Sequence, residues 1–202
     1  YQLLTDRFAR NDGSQNGCGD LGITFLLGNY CGGGYRGIIN NLDYIQGMGF
    51  DAIWISPIID NRDGGYHGYW GRNLYKLNDN FGSEKDFVDF VSVVTNEGFW
   101  SWLMWWVTTW AIWTLTLESI LLSMMPVTTT IGAKSVIKIL PPTTKTEYKT
   151  ADWLIADLKQ ENDYVRTTLL SWIRDLINKY HIDGIRIDTV PEVPKWFWSQ
   201  FA

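Results

Sequence analysis

Short apolar runs that alternate with amphipathic helical stretches constrain this chain more than any other feature. Ala52-Ile-Trp-Ile55 and Gly184-Ile-Arg-Ile-Asp188 read as strands, and Tyr1-Gln-Leu-Leu-Thr-Asp6 is a further strand-like run. Between them, Ile38, Leu42, Ile45 and Met48 keep helical spacing, with Gly47 and Gly49 to end that helix. Phe87, Phe90, Val91 and Val94 mark a second helix, with Ser83 at its N-cap. Val165, Leu169, Trp172, Ile173, Leu176 and Tyr180 form one face of a third, over 161–180. Strands apolar on both faces that alternate with helices imply βαβ units and a parallel sheet. A doubly wound sheet and a (β/α)8 barrel both fit. About four such units can be counted, whereas a full barrel takes roughly 250 residues, so a barrel would be present as its first half.

Composition narrows the class. Hydrophobic residues at 46% and charged residues at 19% exclude a disordered or fibrous chain. A net charge of −5 argues against a duplex nucleic-acid partner, which is bound by a surplus of Lys and Arg. A neutral partner such as a sugar stays open. Cys18 and Cys31 stand among Gly, Asn and Asp with no His or further Cys at zinc-ligand spacing. They read as a disulfide closing a surface loop in an oxidised compartment, with two free thiols as the alternative. The chain starts at Tyr1 without a basic or apolar leader, so a signal peptide is expected to have been removed or to lie outside it.

Chemistry concentrates at one strand end. Period-two alternation puts Arg186 and Asp188 on one side of their strand. A guanidinium beside a carboxylate keeps it ionised, and an ionised carboxylate at the C-terminal end of a parallel strand suits a nucleophile. A structural Arg–Asp ion pair fits the same spacing equally well.

Asp183-Gly-Ile-Arg-Ile-Asp-Thr-Val190 resembles the strand-four signature of the α-amylase family. Tyr1-Gln-Leu-Leu-Thr-Asp-Arg-Phe-Ala9, Tyr30-Cys-Gly-Gly33, Leu42-Asp-Tyr-Ile-Gln-Gly-Met-Gly-Phe50, Ala52-Ile-Trp-Ile-Ser-Pro57 and Tyr66-His-Gly-Tyr-Trp70 resemble further segments of secreted fungal members, in the same order. The resemblance implies an α/β fold, a partial (β/α)8 TIM barrel in which residues 1–202 form the N-terminal part of the catalytic domain. It implies an extracellular, monomeric hydrolase with no nucleic-acid or membrane partner. Such an enzyme cleaves internal α-1,4 links of starch, glycogen or maltooligosaccharides with retention. By resemblance, Asp188 is the nucleophile, Arg186 supports it, and Tyr69 is the platform under the sugar, with His67 and Trp70 in the same motif. Retention uses two carboxyl groups about 5 Å apart. The family's acid, a Glu ending the fifth strand, is expected beyond Ala202.

Three segments depart from the family. After Thr189-Val190 the family's Lys-His is Pro191-Glu192, which removes a sugar-binding Lys. Glu192 still offers oxygen to the family's calcium, and Asp157 resembles a calcium-binding Asp. Ile23 to Gly28 looks inserted within the cysteine loop. Residues 99–150 do not read like the family at all: Phe99 to Leu117 carries no charge, and six of the 12 Trp fall in residues 99–113. The third βα unit is therefore expected to be disrupted.

Uncharged runs of this length approach a membrane span, although Trp prefers the interfaces; this gives a competing reading as a membrane-associated protein. A shifted frame gives another account. Val107-Thr-Thr-Trp-Ala-Ile112 can be written GTA ACC ACA TGG GCT AT, and reading from the third base gives Asn-His-Met-Gly-Tyr, the family's third-strand continuation. Transcript sequence across codons 95–160 distinguishes a frame change from an unbroken frame. A catalytically incomplete fragment that binds glucan through Tyr69 and Trp70 is the remaining alternative.

Overall fold

The protein is seen in a computed structural model that describes residues 1–15, 18, 29–105, 137–139, 156–187, 190 and 193–202, with backbone alone for 102–105, 137–139 and 156–157. Its organising element is a parallel sheet. β1 (Ala52–Ile55), β4 (Trp100–Trp105) and β7 (Gly184–Ile187) lie side by side in that order. Residues 1–3 add a fourth, outer position: Gln2 bridges Trp54 in parallel, Leu3 N–H donates to Trp54 O at 2.9 Å, and Trp54 N–H donates to Tyr1 O at 2.8 Å. Four parallel segments adjacent in chain order, joined by helical crossovers where these are described, match the first half of a barrel.

The third position is filled, which corrects the expectation of a disrupted unit as far as its strand is concerned. Trp100–Trp105 pairs with β1 through Ala52↔Trp100 and with β7 through Trp102↔Gly184. Trp is a good strand former whatever its origin. A half-buried clasp ties β4 to the start of β7: Ser101 donates to Asp183 Oδ2 from its backbone N–H at 2.9 Å and from its hydroxyl at 2.7 Å. The chain after Trp105, including most of the atypical segment, lies outside the described residues. Among the described residues no helix is long and apolar enough to cross a membrane.

Helices cover one face of the sheet. α2 (Tyr35–Ile39), α3 (Leu42–Gly47) and α4 (Glu84–Asn96) bury Tyr35, Ile38, Ile45, Phe87, Phe90 and Val94 against Ile53 and Ile55. Each large apolar side chain so buried contributes about 1.5–3 kcal/mol. The expected single helix over 38–48 is broken in two. Asn41 leaves helical backbone and turns its side-chain amide onto Gly37 O at 2.8 Å, and the second piece ends before Gly49, at φ +81°. Ser83 caps α4 as expected and forms a reciprocal box with Asp86. The third helix, α5 (Asp163–Tyr180), starts at Asn162, whose side chain accepts from Tyr164 N–H and Val165 N–H. His181 ends it in the left-handed region, at φ +55°.

One element is missing from the sequence reading. Asp60 to Tyr75 reads as loop, yet β2 (Ile59–Asn61) and β3 (Gly71–Leu77) form an antiparallel hairpin. The ladder is short and irregular, so its period-two pattern is hidden. α5 holds it down: Trp172 Nε1–H donates to Leu74 O at 2.7 Å, and Leu74, Val165, Leu169, Ile173 and Phe197 make a second core. Phe197 comes from α6 (Lys195–Phe201). β5 (Ile137–Ile139) and β6 (Ala156–Leu158) form a separate antiparallel pair.

Candidate active site

Alternation sorts the residues of the sheet. Ile53, Ile55 and Ser101 are buried toward the helices, so Trp54 and Trp100 face the opposite side, the interior side of a barrel. Arg186 joins them there. It sits two strands from Trp54, with its guanidinium carbon 4.9 Å from the centre of the Trp54 ring, a distance at which cation and ring attract.

The C-terminal end of this sheet opens into a cleft of about 170 Å³ lined by Gln2, Leu3, Leu4, Trp54, Ile55, Ser56 and Tyr69. Its floor is stitched where the first two strands end. Thr5 N–H donates to Ser56 Oγ at 3.1 Å, and Ser56 N–H donates to Thr5 Oγ1 at 3.2 Å, both buried. The wall is the hairpin loop between β2 and β3, which carries the Tyr66-His-Gly-Tyr-Trp70 motif.

That loop is built by the residues themselves. Trp70 N–H donates to Asn61 Oδ1 at 2.6 Å, and Arg62 N–H donates to Trp70 O at 3.0 Å. Arg62 lies 3.9 Å over the Trp70 ring. Gly68 takes φ +86°, and a Cβ there would meet Pro57 O at 2.6 Å, so the tight approach to the end of β1 requires glycine. His67 stands at the centre. Its ring stacks on Tyr69 (5.4 Å, 19°) and meets Trp70 (4.7 Å) and Tyr66 (5.2 Å) edge-on. Its Nδ1 accepts Tyr69 N–H at 3.0 Å. Burial, and then the Arg62 charge, hold its pKa below the usual imidazole value.

A second anchor comes from the N-terminal segment. Arg7, in α1 (Thr5–Phe8), lies 4.0 Å over the Tyr66 ring, donates to Asn29 O at 2.9 Å and pairs with buried Asp6 at 3.1 Å. Asp6 accepts Cys31 N–H at 2.8 Å and Gly32 N–H at 3.2 Å. Burial raises its pKa, while those bonds and Arg7 oppose the rise. Cys18 and Cys31 form the expected disulfide, and Arg7 contacts both sulfurs.

The structure thus brings Tyr69, His67 and Trp70 together on one wall, and Trp54 links the cleft to Arg186. Asp188 and Glu192 lie outside the described residues, as does the side chain of Asp157, whose backbone is in β6. Among the described residues no three His, Cys, Asp or Glu side chains gather as a metal site. Trp54, Ser56, Asn61, Arg62 and Arg7 are absent from the sequence reading of the site. Only Trp54 had a usable signal, an aromatic between two isoleucines in a strand, pointing away from them.

Comparison with known proteins gives a consistent picture. Residues 2–101 match the family model described as the alpha amylase catalytic domain. Alpha-amylase 2 of Schizosaccharomyces pombe is 34% identical over all of this chain and 36% of its own length. Alpha-amylase 1 of Lipomyces kononenkoae is 39% identical over all of this chain and 33% of its own length. Among solved structures, an alpha-amylase from Malbranchea cinnamomea superposes with TM-score 0.77 at 34% identity, covering all of this chain and 44% of that one. An alpha-amylase from Geobacillus thermoleovorans, complexed with acarbose, superposes with TM-score 0.75 at 29% identity, covering all of this chain and 42% of that one. The chain therefore spans about a third of the length of the curated relatives it matches.

Proposed function

We propose, from the match of residues 2–101 to the alpha amylase catalytic domain, that this chain is part of a glycoside hydrolase that cleaves internal α-1,4 links of starch-like glucans with retention. One observation carries the reading. Trp54 lines the cleft beside Tyr69 and its ring centre lies 4.9 Å from the Arg186 guanidinium carbon, which supports one site shared by the aromatic wall and the strand of Arg186.

The chemistry follows from the residue types. Tyr69 offers its ring face to the apolar face of a glucosyl unit, and the stacked His67 and Trp70 stiffen that wall. Holding the sugar still removes translational freedom before bonds change. The Asp188 carboxylate attacks the anomeric carbon and forms a glycosyl ester, and the bond to the leaving oxygen breaks as that oxygen takes a proton from a second carboxylic acid. The resemblance assigns that acid to a Glu at the end of a fifth strand. Water then attacks the ester, gives its proton to the same acid and frees Asp188. The Arg186 guanidinium favours the ionised carboxylate throughout. Calcium is proposed as a structural ion only, with Asp157 and Glu192 offering oxygens and no reaction step running through it. The disulfide suits an extracellular setting.

The test is Asp188→Asn in the full-length polypeptide. Reducing-sugar release from starch is expected to fall by at least about a thousandfold, while retention on a starch affinity gel is unchanged. Near-parental turnover sinks the assignment. Absence of turnover in the parent itself, with starch binding intact, favours a glucan-binding fragment.

A further inference from the structure

One kind of turn recurs along this chain, and at the cleft it is made with a different acceptor. At Asp12, Asn73, Asn78 and Asn162 a side-chain oxygen accepts the backbone N–H two residues on, from Ser14 (2.9 Å), Tyr75 (2.9 Å), Asn80 (3.1 Å) and Tyr164 (2.9 Å). At residue 67 an imidazole makes the same bond, Nδ1 accepting Tyr69 N–H at 3.0 Å. An amide oxygen accepts at every pH, and Asp12, bonded by Arg10, stays ionised down to about 2. An imidazole nitrogen accepts only while the ring is neutral, because a protonated ring donates from both nitrogens. Among these turns, the one beneath the sugar platform alone opens in mild acid.

We propose that His67 is a positioning residue: neutral, it presets Tyr69 for an α-glucan, and protonated, it releases Tyr69, so glucan affinity falls as the cleft acidifies. This rests on the reading of Tyr69 as a glucan platform. The geometry leaves the loop few alternatives. A Cβ on Gly68 would meet Pro57 O at 2.6 Å, and Tyr69 N–H donates to the His67 nitrogen at 3.0 Å. The charged groups around the ring among the described residues are Arg62, over Trp70, and Arg7, over Tyr66, with the Asp60–Arg72 pair at the foot of the hairpin. The neighbouring hydroxyls belong to Tyr66 and Tyr69. Burial, and then the Arg62 charge, oppose protonation, so the turn holds at neutral pH and opens below the ordinary imidazole value.

The experiment measures the dissociation constant for maltoheptaose by calorimetry, on the full-length polypeptide, between about pH 7.5 and about pH 4.5. The parent should lose about three- to tenfold more affinity over that range than His67→Asn, whose amide oxygen replaces the nitrogen as a non-titrating acceptor. His67→Phe, which keeps a ring to stack but has no acceptor, should bind weakly at both ends of the range. If His67→Asn keeps the parent's full pH dependence, the proposal is overturned. If Tyr69→Ala binds as tightly as the parent, the platform reading fails instead. Nitrogen NMR of the parent's His67 needs no variant: a neutral ring protonated at Nε2 is expected, and a ring protonated at Nδ1 overturns the proposal.

Discussion

At the scale of one residue, Tyr35 buries its hydroxyl completely. Tyr35 is enclosed by Phe81, Phe87 and Phe90, and its hydroxyl has no hydrogen-bond partner among the described residues. Burial pushes its pKa far up, so it stays neutral. A buried donor without a partner costs about 1–3 kcal/mol. Tyr35→Phe keeps the ring and removes the cost, so urea unfolding should show a protein as stable as the parent or more stable by about 1 kcal/mol. A loss of that size instead reveals a partner for the hydroxyl. The same scale shows what a sequence gives away. Tyr69, His67 and Trp70 were singled out through the family resemblance, because aromatics in a Gly-rich loop standing alone read as ordinary loop residues. Asn61 and Arg62 were not, because their work is done on backbone and ring atoms nine and eight residues away.

Among elements, those with local causes were the readable ones. α4 follows from its apolar spacing and from Ser83, whose hydroxyl takes Asp86 N–H at 3.2 Å while the Asp86 carboxylate takes Ser83 N–H at 2.9 Å. Ser83→Ala should cost about 1 kcal/mol in urea unfolding, and Ser83→Thr should recover most of it. Equal stability of all three proteins would show that the box contributes nothing. The β2–β3 hairpin was unreadable for the opposite reason. Its support is distant, from Trp172 onto Leu74 O, and its own ladder is irregular. β4 is a third case. Its composition argued against the family, yet its place between two parallel neighbours gave it a strand's hydrogen bonds all the same.

At the scale of the whole molecule, acidity acts through several carboxylates at once. Asp12 and Asp86 are held at about 2, by Arg10 and by Ser83 with Arg36. Glu84, beside Lys179, and Asp89, beside Lys85 and Arg36, are also lowered. Groups lowered in the fold stabilise it above their ordinary range, and that contribution fades as pH falls through their folded values. Asp6, raised by burial, works the other way and regains stability on protonation. Four groups outweigh one, so urea midpoints should decline from about pH 4 toward about pH 2, and added salt should flatten the decline because these pairs are exposed. A midpoint that rises over that range would show burial of Asp6 to dominate. The parallel βα layout was legible at this scale because strand–helix alternation repeats, while the choice of a partial barrel over a doubly wound sheet came from the family resemblance. The opening at its strand ends was not legible, since it depends on where separate segments come to rest.

The Ser101–Asp183 clasp has a consequence downstream. By tying β4 to the segment before β7, it sets which residues pair at the C-terminal end of the sheet, where Leu103 lies beside Ile55 and Trp105 beside Ile187. The last described residue of that strand, Trp105, thus ends at the same edge of the sheet as Ile55, which lines the cleft. An odd composition is thereby accommodated without disturbing the alignment of its neighbours.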